Sequence, residues 1–162
     1  MIMKIDFSNL PDDELIYVYS GALKALRARK IIRTKNVVGE LGERYAETIF
    51  SEISDLPSIK LSATNEKDID AKDENGKGYN IKTVTESSAK RTSAMHFQKD
   101  HKKETKLFDW LLVVILNDSM ELKNIYMFSW EAFWEIKSWS NTQKAWYLSL
   151  TLNNLSRGNK VI

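Results

Sequence analysis

The spacing of apolar and polar residues changes period several times along the chain, and each change predicts an element. After Asn9-Leu10-Pro11, the acids Asp12, Asp13 and Glu14 precede apolar residues at Leu15, Val18, Tyr19, Ala22 and Leu26. This three-and-four spacing predicts a helix to about Arg29 with those five residues at its core face, begun by a proline and by acids that complement the helix dipole. A second helix is predicted over Val37 to Ile53. Its residues Val38, Leu41, Tyr45, Ala46, Ile49, Phe50 and Ile53 form one face, with Glu40 and Glu47 opposite. Leu56-Pro57 breaks the pattern, Ile59 to Ala63 reads as a short strand, and Asn65 to Asp68 reads as a loop or strand entry.

The period then falls to two. Lys67-Asp68-Ile69-Asp70-Ala71 and Tyr79-Asn80-Ile81-Lys82-Thr83-Val84 flank the cluster Asp73-Glu74-Asn75-Gly76, which predicts a β-hairpin. Aspartate first and glycine fourth suit a type I turn whose glycine takes positive φ, the three-residue hairpin with a G1 bulge. In that register Asp73 faces Lys77 and Asp70 faces Asn80. Asp70, Asn80 and Lys82 then share one face, and Ile69, Tyr79 and Ile81 the other. A two-residue Asn-Gly turn would set Asp70 against Ile81 and split the polar trio.

Residues Glu86 to Lys106 have no periodicity and are polar and basic, with Lys90, Arg91, Lys99, Lys102, Lys103 and Lys106. A loop of that length in a small domain marks function or disorder. Leu107 to Leu116 is a continuous apolar run, the signature of a central strand buried on both faces. Asn117-Asp118-Ser119 makes a turn, Leu122 to Phe128 returns as a strand, and Ser129-Trp130-Glu131-Ala132 starts a capped helix reaching about Trp139. Asn153 to Ile162 reads as loop and tail. Helices, hairpin, central strand, strand and helix in that order predict a mixed α/β fold forming a single domain over residues 1–162.

Composition narrows the chemistry. The 162 residues carry a formal charge of only +2, so charge distribution matters more than its sum. With no cysteine, disulfides, thiolate metal sites and a cysteine nucleophile are excluded. No apolar run reaches bilayer length and no signal-peptide core is present, so a soluble, cytoplasmic protein without membrane contact is expected. Basic residues crowd the end of the first helix, at Lys24, Arg27, Arg29, Lys30, Arg33 and Lys35. That excess suits contact with phosphate.

A carboxylate, an amide oxygen and a lysine on one face have a chemical use. Hard cations such as Mg²⁺ take oxygen ligands and activate water for attack on phosphorus, while lysine orients that water or stabilises developing charge. The structural alternative is a cross-strand Asp70–Lys82 ion pair on a solvated hairpin, worth about 0.2–1 kcal/mol.

Asp70, Asn80 and Lys82 resemble the D…(D/E)-x-K signature of the PD-(D/E)XK nuclease superfamily. The run D-A-K-D-E-N-G-K-G-Y-N-I-K is similar to the D-A-x-D-x-x-G-x-x-Y-E-L-K of small PvuII-like type II restriction endonucleases. R-T-K-N-V-V-G-E-L-G-E-R-Y-A-E, from Arg33 to Glu47, also resembles the helix entry of bacterial restriction-endonuclease-like domains. The resemblance implies a restriction-endonuclease-like core, a mixed sheet flanked by helices, and a Mg²⁺-dependent endodeoxyribonuclease, Mn²⁺ serving as substitute. Asp70, Asn80 and a helix-borne Glu43 would hold the metal, Asp68 would be a reserve ligand, and Lys82 would handle the attacking water.

His96 stands at the distance beyond Lys82 where the PvuII-like enzymes carry base-reading histidines, and Gln98 and Lys99 beside it are of types that contact base edges. Lys90, Arg91, Lys99, Lys102, Arg33 and Lys35 would hold the backbone of double-stranded DNA, and a homodimer would match a palindrome. Two departures stand out: Asn80 replaces the family's acidic residue, and no Pro-Asp pair occurs. The first supports an alternative, a catalytically weakened or inactive nuclease-fold DNA-binding module. A ribonuclease on the same fold is the third reading.

Overall fold

The computed structural model describes residues 5–63 and 66–162. The chain divides into two compact units, Met1–Lys35 and Asn36–Ile162. The loop expected at Asn65 lies outside the described residues.

The first unit is built on helix α1 (Asp12–Ala28), whose bounds match the sequence pattern. Its packing does not. No residue of α1 is buried, so Leu15, Val18, Tyr19, Ala22 and Leu26 are not the core positions that their spacing implied. Periodicity reports an apolar face, and a face can exist without anything covering it.

The second unit is a mixed α/β structure around one six-stranded sheet. Helix α2 (Val37–Glu52) is followed by β1 (Ile59–Leu61), β2 (Ala71–Asp73), β3 (Gly78–Thr85), β4 (Trp110–Leu116) and β5 (Leu122–Ser129). Helix α3 (Trp130–Ile136), β6 (Lys137–Ser140), β7 (Ala145–Leu148), helix α4 (Leu152–Leu155) and β8 (Asn159–Lys160) complete it. The sheet order is β1-β2-β3-β4-β5-β8, and β6 and β7 form a separate ribbon. Within the six-stranded sheet β3 and β4 run parallel, and the other neighbours are antiparallel.

Each face of the sheet has its own core. Tyr79, Ile81, Leu112 and Val114 point to the face covered by α2, where Ala46 and Phe50 meet them. Phe50 packs edge-on against Tyr79 with ring centroids 5.8 Å apart. Leu111, Val113 and Phe128 point to the other face, where Met95, Phe108, Trp130, Phe133 and Leu148 gather. The buried run of β4 therefore has apolar cover on both sides, as its composition implied.

One glycine lets α2 sit close to the sheet and another makes room for its cap. A Cβ on Gly42 would collide with the side chain of Thr83, and one on Gly39 with that of Asn36, whose oxygen caps the helix by accepting from the Gly39 N–H. The same approach buries Glu40, which the wheel had placed on the polar side and which is only 5 % exposed. Glu47 is engaged too: its carboxylate accepts from the Leu61 N–H at 3.2 Å and from Arg44 at 2.6 Å, tying β1 to the helix.

The C-terminal third departs most from the sequence reading. The capped helix begins as expected, the Ser129 hydroxyl accepting from the Ala132 N–H at 3.1 Å, but it stops at Ile136 rather than Trp139. Lys137–Ser140 instead pairs with Ala145–Leu148. The expected tail contains α4 and β8, the latter closing the open edge of β5 through Tyr126 and Met127. The central strand starts at Trp110, three residues later than its apolar run.

The Gly42 contact generates a stability prediction. Gly42→Ala should lower the urea midpoint by an amount equivalent to about 1–3 kcal/mol, because α2 must retreat from β3. Thr83→Ala in the same chain should recover part of that loss; no difference between the single and double variants would show that the helix approach is not limited there.

Candidate functional site

The β2–β3 hairpin has the predicted bulged turn. Gly76 lies at φ 76° and its N–H donates to the Asp73 carbonyl at 3.0 Å, while the Asp73 N–H donates to Lys77 at 3.1 Å. The Asp73 carboxylate accepts from the Asn75 and Lys77 amides, each at 2.9 Å, and from the Tyr79 hydroxyl at 3.2 Å. That Tyr79 phenol is pushed far up, by burial first and by the Asp73 charge second, so it remains a donor. Ala71 pairs with Tyr79 and Lys72 with Gly78. The ladder stops there: Asp70 lies just outside β2, and its N–H donates to the carbonyl of Tyr79 at 2.8 Å, the residue already paired with Ala71, so Asp70 is not aligned with Asn80 as the expected register would have it.

Pleat alternation then fixes the faces. Asn80 and Lys82 align with Leu111 and Val113 of β4, both members of the core on the side away from α2. Asn80 is 4 % exposed and Lys82 half-buried. The hydrogen bond that the structure gives Asp70 comes from the Ile81 N–H, at 2.7 Å to Oδ2, and not from Lys82. Burial raises the Asp70 carboxyl above its ordinary range; the Ile81 amide and the Lys82 charge pull it back, and the Asp68 charge pushes it further up.

Asn80 is held in one orientation. Its Nδ2 donates to the Asp68 carbonyl at 2.9 Å, so its Oδ1 is the other end of the amide, and that buried oxygen has no hydrogen-bond partner. An unsatisfied buried acceptor costs on the order of 1–3 kcal/mol. It is therefore a donor atom available to a cation. Mg²⁺ characteristically uses one or two protein carboxylates and completes its shell with phosphate oxygens and water. One aspartate and one amide oxygen fit that minimum. Among the described residues, no three histidine, aspartate or glutamate side chains gather as a metal-holding group.

Glu43 comes from another element. It is half-buried on α2, and α2 covers the face of Tyr79 and Ile81, away from Asn80 and Lys82. Asp68, the reserve ligand, sits at φ 62°, offers its carbonyl to Asn80, and lines a cavity of about 460 Å³.

That cavity also takes in Lys67, His96, Gln98, His101, Trp139 and Lys144. The segment after β3 thus brings two of its predicted contact residues, His96 and Gln98, to a cavity that Asp68 also lines, whereas Asp70, Asn80 and Lys82 are not among its lining residues. It is not a free loop. The Met95 and Trp146 backbones exchange hydrogen bonds at 2.8 and 3.0 Å, Thr92 N–H donates to Leu148 at 2.9 Å, and Trp146 Nε1 donates to the Gln98 carbonyl at 3.3 Å. Met95 and Thr92 are buried, the signal that a polar, aperiodic stretch hides an anchor.

The remaining predicted contacts are spread. Arg91 lies over the Tyr147 ring at 4.8 Å and lines a second cavity with Thr83, Ser88 and Gln143. Lys99 lies 5.7 Å from the Trp139 ring, and Lys90 and Lys102 are exposed. Arg33 and Lys35 are exposed in the first unit. Sequence reasoning misses Trp139 and Lys144 as site residues, because it ends a helix at about Trp139 and has no signal for the ribbon that carries both. At its base Lys137 Nζ is clasped between the Trp134 and Trp146 rings, 3.8 and 3.7 Å from their centroids. Two indole faces favour the ammonium form, against the burial that lowers its pKa.

No protein-family model matches the chain, and no curated protein is significantly similar to it.

The Asp70 environment generates a pH prediction. A folded value raised above 3.8 means that the native state binds the proton more tightly than the unfolded chain. The associated stability is present below the unfolded value and is lost as pH rises through the folded one. Asp70→Asn keeps an acceptor for Ile81 and removes the titration, so between about pH 4 and about pH 7 its urea midpoint should fall less than that of the parent. Superimposable profiles would contradict the shift.

Proposed function

We propose that this chain is a metal-dependent endodeoxyribonuclease with a restriction-endonuclease-like core, hydrolysing phosphodiester bonds in double-stranded DNA. The observation that carries the reading is the carboxylate of Asp70 beside β3: it accepts from the Ile81 N–H at 2.7 Å, between Asn80 and Lys82, which share one face of that strand. The D…N-x-K resemblance and the cavity of His96 and Gln98 beside Asp68 support it.

Asp70 and the free Oδ1 of Asn80 would hold Mg²⁺ or Mn²⁺. The metal, when bound, supplies charge neutralisation at the scissile phosphate and acidifies water. Lys82 donates hydrogen bonds that orient the attacking water and offset the charge developing on the phosphate oxygens. Asp68 positions rather than ligates, holding the Asn80 amide through its carbonyl. His96 and Gln98 would contact base edges, and Lys67, Lys99 and Lys144 the backbone. Glu43 is left outside this set.

One observation favours the second reading, a weakened or inactive DNA-binding module. Asn80 contributes an oxygen but no charge, so the metal would meet one formal negative charge from the trio instead of two.

Supercoiled plasmid and labelled duplex should be cut with Mg²⁺ or Mn²⁺ and spared with EDTA. Lys82→Ala and Asp70→Ala should each cost about 10²–10⁴-fold, whereas Glu43→Ala should retain cutting. Loss in Glu43→Ala with unchanged folding would return that residue to the site. Tight duplex binding without cutting, and cutting that appears in Asn80→Glu, would establish the weakened module in place of the enzyme.

A further inference from the structure

We propose that the cavity of about 460 Å³ receives a single nucleotide turned out of the DNA stack and reads its base there. This rests on DNA being the partner and not on the cutting step. Base edges of an intact duplex lie at the bottom of a groove about 8.5 Å deep, so side chains that read them must project into it. A concavity does the opposite. It is filled only by a group that projects from the nucleic acid, and a base turned out of the stack is such a group. The volume falls in the range of about 300–1,000 Å³ ordinary for sites that enclose a small molecule.

The lining supplies the kinds of surface that a nucleotide needs. Trp139 gives an aromatic wall and Leu107 an apolar one. The indole is held before anything binds: its Nε1 donates to Asn141 at 3.1 Å, and Trp146 packs edge-on with ring centroids 5.1 Å apart. The hydrogen-bonding groups come from one segment. Gln98 is tied down through its backbone carbonyl, which accepts from Trp146 Nε1 at 3.3 Å and from the His101 N–H at 3.1 Å, so its exposed amide is left for a base edge. His101 Nε2 lies 2.7 Å from the Thr105 carbonyl, which can only accept; Nε2 therefore carries the proton, and Nδ1 of the neutral ring is an acceptor.

Charge fits the attached phosphates. Lys67 and Lys144 line the cavity against the one acid, Asp68. Asp68 also holds the Asn80 amide through its carbonyl, so the cavity and the candidate metal ligands meet at that residue.

Fluorescence anisotropy of the full chain with labelled duplexes tests this in EDTA, where metal-dependent cutting is prevented. One duplex carries a single bulged nucleotide, and a second carries the same bulge without its base. The first should bind about tenfold more tightly, because only it has a base to stack on Trp139. Trp139→Ala should abolish that difference and Trp139→Phe should keep most of it. Gln98→Ala, at an exposed position, should reduce it several-fold with circular dichroism unchanged. Equal affinity for the two bulged duplexes, or a difference that survives Trp139→Ala, would overturn the proposal and leave the nuclease reading to the cutting assay. A difference without any cutting in Mg²⁺ would uphold the proposal and remove the enzyme. A free nucleoside monophosphate that displaces the bulged duplex as readily as unlabelled duplex does would assign the cavity to mononucleotides and overturn the proposal.

Discussion

The candidate site is built on the β2–β3 hairpin, and one carboxylate does most to set its pairing. Asp73 binds two turn amides on one oxygen and the Tyr79 hydroxyl on the other, so turn and strand are clamped at a single residue. Side chains alternate with period two, and a slip by one residue would drive Lys82 into the layer beneath α2 and expel Ile81 from it. An unpaired ammonium in that layer costs several kcal/mol. The hydrophobic face and the candidate chemistry are thereby enforced by the same pairing, and neither can be changed alone.

The two faces of β3 then meet different needs. The α2 side is closed, with Gly42 bringing helix and strand together and Glu47 tying in β1. The other side is assembled from pieces distant in sequence: the crossing segment, α3 and the β6–β7 ribbon. Backbone pairing of Arg91 with Ser149 and Met95 with Trp146 binds these pieces, and the Lys137 ammonium between two indoles stiffens the base of the ribbon. Cavities form where such a mosaic is imperfectly filled, which is why His96, Gln98 and Trp139 end up lining one.

Much of this was legible in the sequence because local physics decided it. The Asp73-Glu74-Asn75-Gly76 turn, the capped start at Ser129, and the double burial of Trp110–Leu116 each follow from a few adjacent residues. The ribbon was not legible, because Trp134, Ile136, Trp139 and Trp146 carry apolar signal without a decisive period, and pairing across Asn141–Lys144 is settled by Phe97 and Met95 from another segment. Glu40 shows the same limit. A helical wheel ranks faces by composition, whereas the helix here approaches the sheet closely at Gly42, against Thr83. For α1 the wheel found the apolar face and had no means of knowing that its own unit does not cover it.

The parallel ladder from Tyr79–Trp110 to Thr85–Leu116 has a kinetic meaning. Parallel neighbours cannot be joined by a tight turn, and the chain between β3 and β4 must close a long loop before their pairing returns any free energy. Hairpins with strong local turns form in microseconds, while non-local sheet contacts set the slow step of folding. The hairpin that carries Asp70, Asn80 and Lys82 is thus an early structure, and the wall bearing His96 and Trp139 a late one. During folding, Asn80 and Lys82 thus take their places on the hairpin before the wall that encloses the cavity is assembled.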